Sequence, residues 1–210
     1  MTETANYEVI FPMNWLAAAR LFAAKEDKRY YLNGVAISHG GLVATNGHYL
    51  GVFIDKRFDA LPEIIIPNAD ADLFLKTVKL HKLAGIVTLR WYVDSAGRPQ
   101  GTLTAGGATH AFTGEEGEYP YWPDYILRRP YRPEDAIQFN WVHLTRFEKA
   151  AAALNAPGEP GRNTLFQPCG RRQAARVTLP NTPEFEGVLM GLRDANVSYD
   201  LSLRDGSKQN

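Results

Sequence analysis

The chain has 210 residues, 45% of them hydrophobic and 22% charged, a balance that can bury a core without disulfide or metal staples. Lys plus Arg and Asp plus Glu both total 23, so no net field draws the molecule to nucleic acid, and any DNA contact must come from local segregation of charge. One cysteine, Cys169, excludes an internal disulfide framework and a cysteine-based zinc cluster; with no basic start, apolar leader or bilayer-length stretch, this fits a reducing cytoplasm.

Residues 7–11 alternate as a strand does, and Pro12 blocks helix upstream of Asn14, the expected N-cap of a helix over 14–27. Trp15, Leu16, Ala19, Phe22 and Ala23 form its apolar face. Two strands follow, Arg29-Tyr30-Tyr31-Leu32-Asn33-Gly34-Val35 and Leu42-Val43-Ala44-Thr45-Asn46-Gly47-His48-Tyr49-Leu50, joined through His39, Gly40 and Gly41. The same order returns. Glu63-Ile64-Ile65-Ile66 is a buried-type strand stopped by Pro67, residues 69–83 are helical with Leu73, Val78, Leu80 and Leu83 as apolar positions, and strands cover 86–93, 101–104 and 108–113.

Residues 118–133 form a Pro- and Arg-rich connector that is too aromatic for a loose tether, with Tyr119, Tyr121, Trp122, Tyr125 and Tyr131, and it is expected to pack against the protein. A third unit of the same order follows: strand 136–139, helix 143–154, then strands 164–166, 174–179 and 185–192. The polar tail, 194–210, is expected to be mobile beyond about Leu203.

His39, His48 and His110, with Asp55, Asp94 and Asp124, supply acid and base types, but their spacing matches no zinc motif, nucleophile elbow or phosphate loop. Gly106-Gly107 precedes no helix and so makes a poor phosphate cradle. Neither catalytic residues nor a metal or cofactor are expected. Trp91, Tyr121, Trp122 and Tyr131 could stack on sugars, although aromatics on strands and connectors usually fill cores.

The two-strand segment, the Ala44-Thr45-Asn46-Gly47-His48 turn and the Tyr121-Trp122-Pro123-Asp124-Tyr125 connector stand in the order and spacing of bacterial DNA polymerase III β sliding clamps, and residues 7–130 resemble the middle domain of such a clamp. Residues 137–193, closing in Phe185-Glu186-Gly187-Val188-Leu189-Met190-Gly191-Leu192-Arg193, are similar to the second half of the clamp's last domain. The resemblance implies an α+β DNA clamp (processivity) fold of repeated strand-helix-strands units, about one and a half clamp domains: 1–133, a half domain over 134–193, and the tail 194–210. It also suits a phage or mobile element. Rings of that family hold twelve such units, so three per chain implies a homo-tetramer, with the half domain completed by its counterpart from another subunit.

The resemblance implies two sites. A pocket for a partner peptide from a polymerase or another clamp-binding protein would use Leu32, Thr45, Gly47, His48, Leu50, Pro123, Val188, Leu189, Met190, Leu192 and Arg193; aliphatic walls and a pliant Met suit Leu or Phe anchors. Gly191 stands where clamps usually carry Pro, Tyr49 replaces an Arg, and Leu127 occupies an often basic position, changes that bear on peptide specificity. Sequence-independent contact with double-stranded DNA would fall to helix-borne Arg20, Lys25, Lys28, Lys76, Lys79, Lys82, Arg146 and Lys149. The implied function is a DNA-encircling processivity factor; the alternative is a non-encircling adaptor or decoy that captures clamp-binding proteins. The tail's Asp200-Leu201-Ser202-Leu203 resembles the core of a clamp-binding peptide and would occupy such a pocket.

Overall fold

Proline sets where the first strand becomes a helix. Pro12 closes β1 (Asn6–Pro12) and, with φ −60°, stands at the N-cap of α1 (Met13–Arg20). Asn14 is therefore inside the helix and not its cap, and its Nδ2 donates to Leu154 O at 3.4 Å. The structure, a computed structural model, describes residues 6–82, 85–126, 139–155, 164–168 and 174–191.

The helix is shorter than the expected 14–27. Leu21 N and Phe22 N donate three residues back, to Ala18 O and Ala19 O, and Ala24 N is taken by Leu32 O at 2.9 Å. Asp27 and Asn33 then clasp each other, Asp27 N donating to Asn33 Oδ1 and Asn33 Nδ2 to Asp27 O, both at 2.9 Å. Residues 30–32 wind into a 3-10 turn, so the expected strand over 29–35 begins only at Gly34.

Three antiparallel strands follow, β2 (Gly34–Ser38), β3 (Gly41–Thr45) and β4 (Tyr49–Ile54), so the second expected strand is split by the turn at residues 46–48. The second repeat comprises β5 (Ile64–Pro67), α2 (Asn68–Leu80), β6 (Ile86–Val93), β7 (Pro99–Ala105) and β8 (Ala108–Thr113). Helix α2 buries Ala71, Phe74 and Val78, an i, i+3, i+7 stripe, and leaves Leu73 and Leu80 in solvent, with Leu80 75% exposed; the apolar face lies one position away from the expected Leu73. Leu83 lies outside the described residues.

Each of these repeats lends its first strand to the other. β1 pairs with β6, Val9 opposite Leu89, and β5 pairs with β2, Ile66 opposite Val35. Two four-stranded arrays result, β1-β6-β7-β8 and β5-β2-β3-β4, with α1 and α2 in contact.

The third repeat contributes α3 (Trp141–Leu154), β9 (Leu165–Pro168), β10 (Ala175–Leu179) and β11 (Thr182–Leu189). Asn140 caps α3, its Oδ1 accepting from Val142 N at 2.9 Å. Of the strand expected at 136–139, residues 136–138 lie outside the described residues and Phe139 is not in a strand; the expected tail, 194–210, also lies outside them. β11 pairs antiparallel with β4 and extends one array to seven strands, β5-β2-β3-β4-β11-β10-β9, while α3 packs on α1.

Two glycines make this junction possible. Gly51 and Gly187 face each other across β4 and β11. A Cβ on Gly51 would sit 2.6 Å from the Phe22 ring, and one on Gly187 would sit 2.4 Å from the Phe147 ring. The space they leave is filled by Phe22 and Phe147, edge to face at 5.0 Å, joined by Phe185 and by the Trp15–Phe53 stack. The helices thus share one core with the seven-stranded array.

Candidate peptide cleft and basic groove

On the opposite face of the β4–β11 seam lies a second, smaller core: Leu32, Ala36, Val43, Leu50, Val52, Ile65, Tyr119, Trp122 and Val188. The aromatic connector packs here, as its composition suggests. Trp122 Nε1 donates to Ser38 O at 2.7 Å, while Glu63 accepts from Tyr119 N at 2.7 Å and from Ser38 Oγ at 2.6 Å. Tyr121 and Tyr125 stay exposed.

Over this core opens a cleft of about 210 Å³ lined by Arg29, Leu32, Thr45, Gly47, Tyr49, Leu50, Pro120, Trp122, Tyr125, Val188 and Met190. Cavities for whole small molecules run to about 300–1,000 Å³. This one suits anchor side chains of a chain lying across it. Of the expected pocket residues, Leu32, Thr45, Gly47, Leu50, Val188 and Met190 come together here. Leu189 does not: strand side chains alternate, so Val188 and Met190 share the cleft side while Leu189, fully buried, belongs to the helix-side core. Pro123 is half-buried in the 3-10 turn, but it is Trp122 and Pro120 that line the wall. Leu192 and Arg193 lie outside the described residues, as does Leu127.

His48 contributes through its backbone, its carbonyl accepting from Met190 N at 2.9 Å. The turn beneath it is built by side chains: Thr45 Oγ1 donates to Tyr49 O and accepts from Gly47 N, and Asn46 Oδ1 accepts from His48 N and Tyr49 N. Gly47 sits at φ +87°, where a side chain is strained, and a Cβ there would lie 3.2 Å from the Arg29 guanidinium.

Sequence reasoning missed Arg29, the one cation among the described residues that line the cleft. Its guanidinium is held by Asp27 at 2.9 Å, and that pairing pulls the Asp27 carboxyl down to about 2 and pushes the Arg29 pKa up. A charged donor fixed beside apolar walls can bind a carbonyl or carboxylate of an entering peptide.

The His48 ring stacks on His143 of α3 at 5.3 Å, with the planes 9° apart. Burial, and then the charges of His48 and Arg146, push the His143 pKa below its ordinary value. The unfolded chain therefore takes up this proton more readily than the folded one. That free energy favours unfolding as pH falls below about 6.5 and stops growing below the folded pKa. Urea midpoints measured from about pH 8 to about pH 5 are expected to fall through this window, and His143→Gln to flatten the fall.

The basic residues are spread more widely than expected. Lys25 and Lys28 lie in the loop after α1, and Lys82 lies beyond the end of α2, because both helices stop early. Lys76, Lys79 and Lys149 are exposed on α2 and α3. Arg20 is only 12% exposed along its side chain and binds Asp72 at 2.7 Å. Even so, Arg20, Lys25 and Arg146 meet in one open groove of about 380 Å³, with Asp72 as its acid. Such a groove offers phosphate contacts without base readout.

No family of sequences matches the chain, and no curated protein does. Solved structures do. The DNA polymerase sliding clamp from Caulobacter crescentus aligns with a TM-score of 0.60 at 17% identity, over 92% of this chain and 68% of the clamp. The DNA polymerase III subunit beta from Pseudomonas aeruginosa gives 0.59 at 15% identity, over 90% and 66%, and the sliding clamp from Bartonella birtlesii bound to griselimycin gives 0.60 at 15% identity, over 89% and 66%. The chain has the fold of bacterial sliding clamps and spans about two thirds of their length.

Proposed function

We propose that this chain is a sliding-clamp-like replication processivity factor, a binding scaffold that assembles around duplex DNA as a homo-oligomer, with a tetramer favoured, and presents a pocket to polymerase or other partner peptides. The observation that carries this reading is the cleft at the β4–β11 seam, where the first and third repeats bring Leu32, Thr45, Leu50, Val188 and Met190 together under Trp122. Apolar walls hold Leu or Phe anchors and Arg29 fixes direction. The groove of Arg20, Lys25 and Arg146 would track phosphates loosely, as sliding requires.

The Arg20–Asp72 pair favours a second reading, because it removes a helix cation from DNA duty: a clamp-like adaptor that binds partner peptides without encircling DNA. Two measurements separate the outcomes. A labelled peptide with a leading Gln and a Leu-x-Leu-Phe core is expected to bind the protein, and Met190→Glu with Tyr125→Ala to weaken it at least about tenfold, ~1.4 kcal/mol. No binding by the wild type would sink both readings. Retention on a circular duplex, lost when the circle is cut, is expected of a ring; release that ignores cutting leaves the adaptor.

A further inference from the structure

We infer that the outer side of the third repeat, formed by β9 and the start of α3, docks the same side of a second copy of this chain, so that two third repeats complete one domain between them. The inference deepens the clamp reading and rests on it for the ring, but its physical basis is the way the first two repeats complete each other. The outer side of β2 is covered by β5 and that of β6 by β1, each strand coming from the neighbouring repeat. β9 holds the corresponding place beside β10 and is the last strand in the described order of its sheet. Such an edge invites a strand of the same kind.

The side chains beside that edge point the same way. Trp141 is 79% exposed, Val142 62% and Leu165 51%, a group of large apolar residues on one side of one repeat, whereas Trp15 and Leu16 at the start of α1 are buried. Along α3 the exposed positions after Trp141 are Val142, Thr145, Glu148, Lys149, Ala152 and Ala153; of these Val142, Thr145, Lys149 and Ala152 follow the i, i+3, i+7, i+10 spacing of one helix face. Its side chains are small apart from Lys149: Val142 and Ala152 are apolar, the Thr145 hydroxyl turns back to Val142 O, and Lys149 stands beside the exposed Glu148. α1 and α2 rest on each other in the complete pair of repeats, and a second α3 would rest on this face in the same way. About a two-fold axis the surface is self-complementary, with Lys149 of one copy set against Glu148 of the other. Among the described residues no further helix and strand complete the third repeat as the first two complete each other, so the occupant is a second copy.

Light scattering on the full chain at micromolar concentration tests this without any variant: a mass of two chains or an even multiple is expected, and a mass of one chain overturns it. Trp141→Glu with Leu165→Lys, both at exposed positions, is expected to halve the mass while leaving the clamp-binding peptide bound at the cleft, which lies on another face. An assembled wild type whose mass the double variant does not change would overturn the proposal, since assembly would then use a different surface. Loss of peptide binding from wild type and variant alike, with the mass halved as expected, would sink the peptide-pocket reading and leave this surface standing.

Discussion

Phe147→Ala will destabilise the chain by about 3–5 kcal/mol, the usual cost of emptying a buried phenylalanine site. Phe147 has no exposed surface and touches Phe22 and Phe166, and its ring lies over the bare backbone of Gly187. Neither glycine can move a side chain into the void, so collapse is poor and the upper half of the range applies. The loss falls on the contact between the third repeat and the rest. Val188 and Met190 are expected to lose register with Leu50 and Thr45, and peptide affinity to drop although no cleft residue has changed. Chemical denaturation and peptide titration on one sample check both parts. A variant that is destabilised yet binds peptide normally would show that the cleft does not depend on the helix-side core.

Trp122→Ala will cost a similar ~3–5 kcal/mol and will open the cleft from the connector side. Trp122 anchors the connector by burying its indole in the smaller core and donating to Ser38 O at 2.7 Å. Trp122→Phe separates the two contributions. It keeps most of the ring and removes only the indole hydrogen bond, since Ser38 also closes the β2–β3 turn opposite Gly41, a loss of about 0.5–1.5 kcal/mol. Since Ser38 is also bonded to Glu63, which holds Tyr119, the alanine variant is expected to loosen residues 119–126 together. Amide hydrogen exchange in that segment is the direct readout. Unchanged protection there would refute the anchoring role.

Much of this architecture is legible in the sequence because proline and glycine punctuate it. Pro12 and Pro67 mark strand-to-helix boundaries, and His39 and Gly40, both at positive φ, turn β2 into β3. What composition could not show is where long-range bonds override local propensity. Leu21 to Ala24 continue an apolar helical pattern, yet Ala24 N is claimed by Leu32 O and the helix cannot go on. Leu73 and Phe74 are adjacent and equally apolar, and only packing chose Phe74. At the cleft, alternation along a strand separates Leu189 from Val188 and Met190, a distinction that the order of motifs does not carry. Arg29 carried a weaker signal, its place three residues before Leu32, and its role depends on the Asp27–Asn33 clasp that holds the loop.

The facing glycines limit how the seam between β4 and β11 can be aligned. Sliding β11 by one residue would turn Leu189 and Phe185 toward the cleft and Val188 toward the helices. Sliding it by two keeps the faces but moves a Phe or Leu side chain to where Gly187 now lies, into the space of the Phe147 ring. Only one alignment satisfies both rings. The alignment of the two walls of the cleft is therefore gauged on the far side of the sheet, by two residues that have no side chain and do not line it.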